Sequence, residues 1–372
     1  MRKDNTIEAF FALVRAGLWS DGNLDIRIDG TTDWQEVYRL ATEQSVLGLV
    51  LAGLEYSDIK PPKVLLLQWI GEVQIIEQRN KAMNDFVAKL IEKLRKEDVY
   101  AILIKGQGIA QCYERPLLRA CGDVDLFLSE DNYKKATIVL TPLASTIEKE
   151  NLYEKHIGIV IDSWMVELHG NLHAGISSRM DNGIVEAQRD VFYGGQVRSW
   201  LNDRTQVFLP GVDEDVIFIF THILKHFFKG GIGLRQVCDM CRLLQSYNEK
   251  IKVNLLEKRL RKMGTMSEWK AFAALAVNYL GLDAKVMPLY SNEKRWDRKA
   301  ERILDIMFET GNMGHNIDYS YQKEYTPVKR KLVTWGIMVK DSFRRFFVFP
   351  LNTMRSLMMF TKMGVVSFFG NK

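Results

Sequence analysis

Cysteine is scarce, with four in 372 residues. That is too few to staple a chain of this size, so stability cannot rest on a disulfide framework, and a reducing, cytoplasmic setting is expected. Long hydrophobic runs are missing as well. No uncharged apolar stretch reaches the roughly 18 residues a membrane span needs. The opening "MRKDNTIEAFFALVRAGLWS" is interrupted by Glu8 and Arg15, unlike the apolar core of a signal peptide. Proline is sparse at eight, and neither a low-complexity linker nor an internal repeat is present, which excludes solenoid architectures. The chain also lacks a strong overall charge. Its formal net charge is +5, and from Lys329 onward nine Lys/Arg stand against Asp341 alone. The tail is therefore +8 and the remainder −3, so a basic surface for polyanions, if used at all, is confined to the last fifty residues.

What the chain has is a change of texture. The first hundred residues read as helix: "TTDWQEVYRLATEQSVLGLVLAGLE" opens on a Thr/Asp cap signal, and Pro61–Pro62 precede a long periodic segment ending near Asp98. "VYAILIKG" (99–106) then reads as a buried strand closing on glycine, followed by a short helix, "QGIAQCYERP", and a second strand, "GDVDLFLS". Ser129 caps a helix over "EDNYKKATIVLTPL", and "HIGIVIDSWMVELHGNL" reads as two strands meeting at Asp162 and Ser163. After about residue 210 helices return, beginning with the acid-rich start of "PGVDEDVIFIFTHILKHFF". The expectation is an α+β fold: an N-terminal helical region (1–97), a mixed-sheet domain (98–195), a C-terminal helical region (196–320) and a basic, aromatic-rich tail (321–372).

Two aspartates, Asp123 and Asp125, sit one residue apart inside the second strand. Alternation puts both on one face and Val124 and Leu126 on the other. Like charges that close repel unless a cation lies between them or they stay protonated. Hard carboxylate oxygens at this spacing suit Mg²⁺ or Mn²⁺ and, through them, phosphate-bearing substrates. The solvent face of a half-buried edge strand shows the same alternation, so the pair alone does not decide. Glu167 and His169 share a face of the later strand, which would add a third acid if the two strands are neighbours. "LIKGQG" ends a strand in glycine before a helix, a setting in which backbone amides meet anions. Lys105 and Arg119 are the nearest cations, each able to neutralise phosphate or to pair with a local acid.

Other groupings carry less. Cys238 and Cys241 form a CxxC inside a helical pattern with no second pair to complete a zinc site. His222 and His226 share a helix face without the glutamate of HExxH, and read as cleft-facing histidines. "KGGIGLR" (229–235) lacks the GK[ST] ending of a phosphate loop and reads as a break between helices. The tail, interrupted by Pro350, admits three roles in decreasing order: packing on the protein or a subunit contact, a membrane-surface contact, and a nucleic-acid contact.

A strand–Gly–helix, an Asp-x-Asp strand and an acid on a later strand together resemble the nucleotidyltransferase fold of the DNA polymerase β superfamily. The chain is most similar to the bacterial group described as uncharacterised nucleotidyltransferases, through "LIKGQGIAQCYERPLLRACGDVDLFL", "VELHGNL", "HILKHFFKGGIGLRQVCD" and "ATEQSVLGLVLAGL". The resemblance implies a nucleotidyltransferase-like mixed sheet and transfer of a nucleoside monophosphate from an NTP such as ATP, with release of pyrophosphate. The acceptor, a small molecule, protein or RNA, is not named by it. It further implies that Asp123 and Asp125 bind two Mg²⁺ or Mn²⁺ ions, and that Glu167 completes the site and helps deprotonate the acceptor. Gly106 and Gln107 would stand at the Gly-Ser positions that grip the triphosphate. Gln107 departs from serine, and the interval to Asp123 is longer than usual, which keeps a second reading open: a nucleotidyltransferase-fold binding module that no longer turns over. Arg235 and Asp239, in the helical match, become site-lining candidates or an ordinary helix pair; His169, His222 and His226 join them.

Overall fold

A computed structural model describes residues 5–20, 28, 31–152, 154–194, 196–317 and 325–369. Four helices come first: α1 (Asn5–Trp19), α2 (Trp34–Glu43), α3 (Leu47–Gly53) and α4 (Lys63–Lys96). The cap signal works as expected, with the Asp33 carboxylate accepting from the amides of Gln35 (3.0 Å) and Glu36 (3.2 Å). The first half of α4 buries Trp69 and Val73 among the N-terminal helices. Its second half buries Met83, Phe86, Val87, Leu90 and Leu94 beneath the sheet. One long amphipathic helix thus anchors both cores.

Seven strands form one mixed sheet: β1 (Ile102–Ile104), β2 (Asp123–Phe127), β3 (Thr146–Ile147), β4 (His156–Ile161), β5 (Trp164–His169), β6 (Arg198–Asn202) and β7 (Thr205–Leu209), in the order β3-β4-β5-β2-β1-β7-β6. β1 lies antiparallel to β2, and β2 runs parallel to β5. Short helix α5 (Gly106–Ala110) links β1 towards β2, α6 (Glu130–Leu140) follows β2, and α7 (Ser178–Tyr193) follows β5. The β4–β5 turn takes Asp162 and Ser163 into positive φ (49° and 68°), the twist a two-residue hairpin requires. On one face of β2, Val124 and Leu126 pack on α4 and on Tyr133, Ala136 and Leu140 of α6. On the other, Phe127 meets Phe192 of α7, with ring centroids 4.6 Å apart.

Helices α8 (Val212–Lys229), α9 (Leu234–Tyr247), α10 (Val253–Met263), α11 (Met266–Asn278) and α12 (Lys294–Thr310) cover that second face and the N-terminal helices in one continuous core. The sheet does not stop at residue 195. The β6–β7 hairpin lies beyond that boundary, and Phe208 pairs in parallel with Ile102. "RSWLNDRTQVFL" alternates about a turn at Asp203 (φ 53°), a signal overshadowed by the strong helix start at Pro210. The tail forms a helical hairpin, α13 (Pro327–Phe346) and α14 (Pro350–Phe369), divided at Pro350. Its base packs on the body: Phe349 meets Phe227 of α8 at 5.6 Å, and the Asn352 amide donates to Glu268 of α11 at 2.8 Å. On its outer faces Leu332, Trp335, Phe343, Leu351 and Met354 are exposed.

Candidate active site

The sheet register builds the site. Asp125 pairs with Glu167 across β2–β5 and with Ile104 across β2–β1, so Lys105 is the first residue past that neighbour. Lys105 holds φ 56° and Gly106 φ 36° where the chain leaves β1. A positive φ at lysine costs of order 1–3 kcal/mol and persists only where its surroundings enforce it. Here it accompanies an ammonium 2.9 Å from Asp125 Oδ1. Gly106 is confined as well, since a Cβ there would lie 3.2 Å from Cys121 Sγ.

Histidines complete the cluster. His169 Nε2 stands 2.8 Å from Asp125 Oδ1 and 3.3 Å from Glu167 Oε2. His156 of β4 places its Nε2 3.2 Å from the same Glu167 oxygen. His156 opens the hairpin, and no motif along the chain marks it as a site residue. The Asp162–Ser163 turn carried the signal, because a register that pairs Ile161 with Trp164 also pairs His156 with His169.

The electrostatics are polarised. Asp123 is pushed up to about 6, first by the negative charge of Asp125 and then by burial. Among the described residues its carboxylate has no hydrogen bond or ion pair. Burial pushes Asp125 up, but Lys105 and the His169 hydrogen bond outweigh it and hold the carboxyl below its ordinary range. Glu167 is likewise held well below that range, hydrogen bonds from His156 and His169 overcoming burial. Lys105 stays charged because its acids outweigh its burial.

These groups line a cavity of about 270 Å³ between the sheet and helices α8 and α9. Its helical wall carries His222 and His226, ring centroids 4.3 Å apart, together with Lys225 and Arg235. Burial drives His222 well below its usual value and His226 down to about 4, so both present neutral imidazoles near pH 7. Arg235 donates to the Ala120 carbonyl at 2.8 Å, and its Nε has no partner. It does not pair with Asp239.

One sequence expectation is corrected, at Gln107, and at Arg119 one of the two expected roles is seen. Arg119 lines the cavity but commits the Nε/Nη2 edge of its guanidinium to buried Asp239 (2.7 and 2.6 Å), its Nη1 donates to the Ala120 carbonyl at 3.3 Å, and Tyr113 donates to the same acid at 2.7 Å. Arg119 and Asp239 therefore form a buried ion pair linking the β2 approach to α9, which leaves Arg119 only its Nη1 side towards the cavity. Gln107 turns away from the cleft: its amide donates to Asn80 of α4 at 3.0 Å, inside the protein. Gly106 alone of that pair reaches the cavity wall.

The chain belongs to the family of uncharacterised nucleotidyltransferases, whose sequence model matches residues 30–281. That span contains every group named at the site, and the family implies nucleotidyl transfer as the general activity, an NTP as substrate and a divalent metal as the class of cofactor. No curated protein matches the chain, and no solved structure does. Among the described residues no helix is long and apolar enough to cross a membrane.

Proposed function

We propose that this protein transfers a nucleoside monophosphate from an NTP to an acceptor hydroxyl or phosphate, with release of pyrophosphate and dependence on Mg²⁺ or Mn²⁺. The carrying observation is the set of three carboxylates, Asp123, Asp125 and Glu167, on one face of two adjacent strands at the cavity floor. The residues fit such ions: the donors are hard oxygens, and Asp123 is destabilised by its neighbour more than nearby Lys105 and Arg235 relieve it. Asp123 and Asp125 would hold the ions and Glu167 would complete the set. When bound, the ions supply charge neutralisation at the attacking and leaving oxygens.

The chain's own residues do the rest by position. Lys105 steadies Asp125 and brings one positive charge to the cavity floor. Arg235 takes the phosphate role more readily than Arg119, because among the described residues a carbonyl oxygen alone holds its side chain, whereas Arg119 has one edge on Asp239. Neutral His222 and His226 offer ring faces and one hydrogen bond each to a base or acceptor without adding charge. A second reading, a binding module without turnover, draws on Gln107 and on Asp125, whose Oδ1 already receives Lys105 and His169. Thermal melts distinguish whether the site takes nucleotide through metal. Mg²⁺ plus NTP should raise the melting temperature, and Asp125→Asn should abolish the rise. A shift that needs no metal and survives Asp125→Asn would favour the binding module.

A further inference from the structure

Beside the two aspartates lies a second set of ligating atoms. His156 Nε2, His169 Nε2 and Glu167 Oε2 all fall within 4.8 Å of one another, and both imidazoles address the same carboxylate oxygen, at 3.2 and 3.3 Å. Ligands about 2.0–2.1 Å from a tetrahedral ion stand about 3.3 Å apart along an edge. Hydrogen bonding satisfies this cluster only by sharing, since His169 Nε2 bears one hydrogen at most and has Asp125 at 2.8 Å as well as Glu167. One ion between the three atoms satisfies both imidazole lone pairs and the carboxylate together. The rigid β4–β5 hairpin supplies all three ligands, so the site is set by register rather than by a mobile loop.

We infer that His156, Glu167 and His169 form a binding site for a divalent first-row transition ion, distinct in chemistry from the all-oxygen pair at Asp123 and Asp125. Imidazole nitrogen favours Zn²⁺, Co²⁺ and their neighbours over Mg²⁺. Asp125 belongs to the pair with Asp123, so the hairpin provides three ligands and the fourth position is open to water or a phosphate oxygen. Binding itself stands apart from nucleotidyl transfer. Its consequence there, two unlike ions bridged by the Glu167 carboxylate, rests on the proposed function.

The test uses metal-free, full-length protein without nucleotide, titrated with Zn²⁺ by calorimetry and with Co²⁺ by visible absorption. We expect one tight equivalent with the intense bands of a four- or five-coordinate nitrogen-containing site. Because losing even an outer-shell partner costs about 10–100-fold in affinity, His156→Ala and His169→Ala should each weaken binding by about a hundredfold or more. Asp123→Asn should leave it nearly unchanged. Melts in EDTA establish that each variant is folded, and the wild-type Co²⁺ spectrum carries the test should a variant fail to fold. Faint six-coordinate bands, or binding that survives both histidine variants and vanishes in Asp123→Asn, would overturn the assignment. An intact Co²⁺ spectrum in a protein that transfers no nucleotide would uphold this site while refuting the catalytic reading.

Discussion

Replacing Asp123 by asparagine should stabilise the metal-free protein above pH 6 while removing its response to Mg²⁺. The Asp123 carboxyl is raised from 3.8 to about 6, chiefly by Asp125 and secondarily by burial. A group whose folded pKa exceeds its unfolded one gives stability that is complete below the unfolded value and lost as pH rises through the folded value. For Asp123 that window runs from about pH 4 to about pH 6. A shift of about two units corresponds to roughly 3 kcal/mol, and in a chain of this length that is about 4 °C in Tm. Asparagine never ionises, so the variant should keep what the wild type loses. Calorimetric melts in EDTA at pH 4.5 and pH 8 measure the effect: the variant should melt higher at pH 8, and the difference should shrink to well under half at the lower pH. Mg²⁺ should raise the wild-type Tm and leave the variant unmoved. A variant that melts at or below the wild type at pH 8 in EDTA would refute the argument, because it would mean that Asp125 imposes no penalty on Asp123.

Other substitutions separate structural from site roles. Arg119→Ala strands Asp239 in the interior and should cost about 3–5 kcal/mol of stability by denaturant unfolding, with NTP affinity of the folded fraction unchanged; a selective loss of NTP affinity would return Arg119 to the phosphate site. Gln107→Ser should cost about 1–2 kcal/mol through its lost hydrogen bond to Asn80, and calorimetry should find NTP binding within about twofold of wild type. Lys105→Met removes the floor cation and should lower kcat/KM by about 10²–10³-fold in a pyrophosphate-release assay. Arg235→Met, with its phosphate role, should raise KM for NTP more than it lowers kcat, and an unchanged KM would place it outside the phosphate path.

Much of the sheet that carries the candidate site is local information and can be read from the chain. The Asp-x-Asp alternation, the glycine after β1 and the Asp162–Ser163 turn each act within a few residues, and the strands at 102–104, 123–127, 156–161 and 164–169 follow from them. The Asp125–Glu167 adjacency needed one further inference, that β2 and β5 are neighbours, and the register places them side by side. What the sequence concealed is long-range. Arg119 and Asp239 are 120 residues apart, and nothing in either neighbourhood distinguishes a phosphate ligand from a buried ion pair. Gln107 is polar in a helix start, yet its fate depends on Asn80 of a helix that comes earlier in the chain. The β6–β7 hairpin is short and half exposed, so its alternation is weak beside the acid-rich start of α8. His156 was within reach, since counting back from the turn pairs it with His169, but metal-ligand spacing is usually sought along a chain rather than across a hairpin.

The central claim is that nucleotidyl transfer depends on Asp123 and Asp125, and α-labelled nucleotides test it most directly. Purified protein with Mg²⁺ or Mn²⁺ is mixed with lysate of the source cell and each α-labelled NTP in turn, beside the Asp123→Asn/Asp125→Asn variant and a parallel set with γ-label. The account predicts α-label on a protein, RNA or metabolite fraction with the wild type alone, and pyrophosphate among the products. Transfer of γ-label without α-label would contradict it by making the reaction a phosphoryl transfer, and label that persists in the double variant would remove the aspartates from the chemistry.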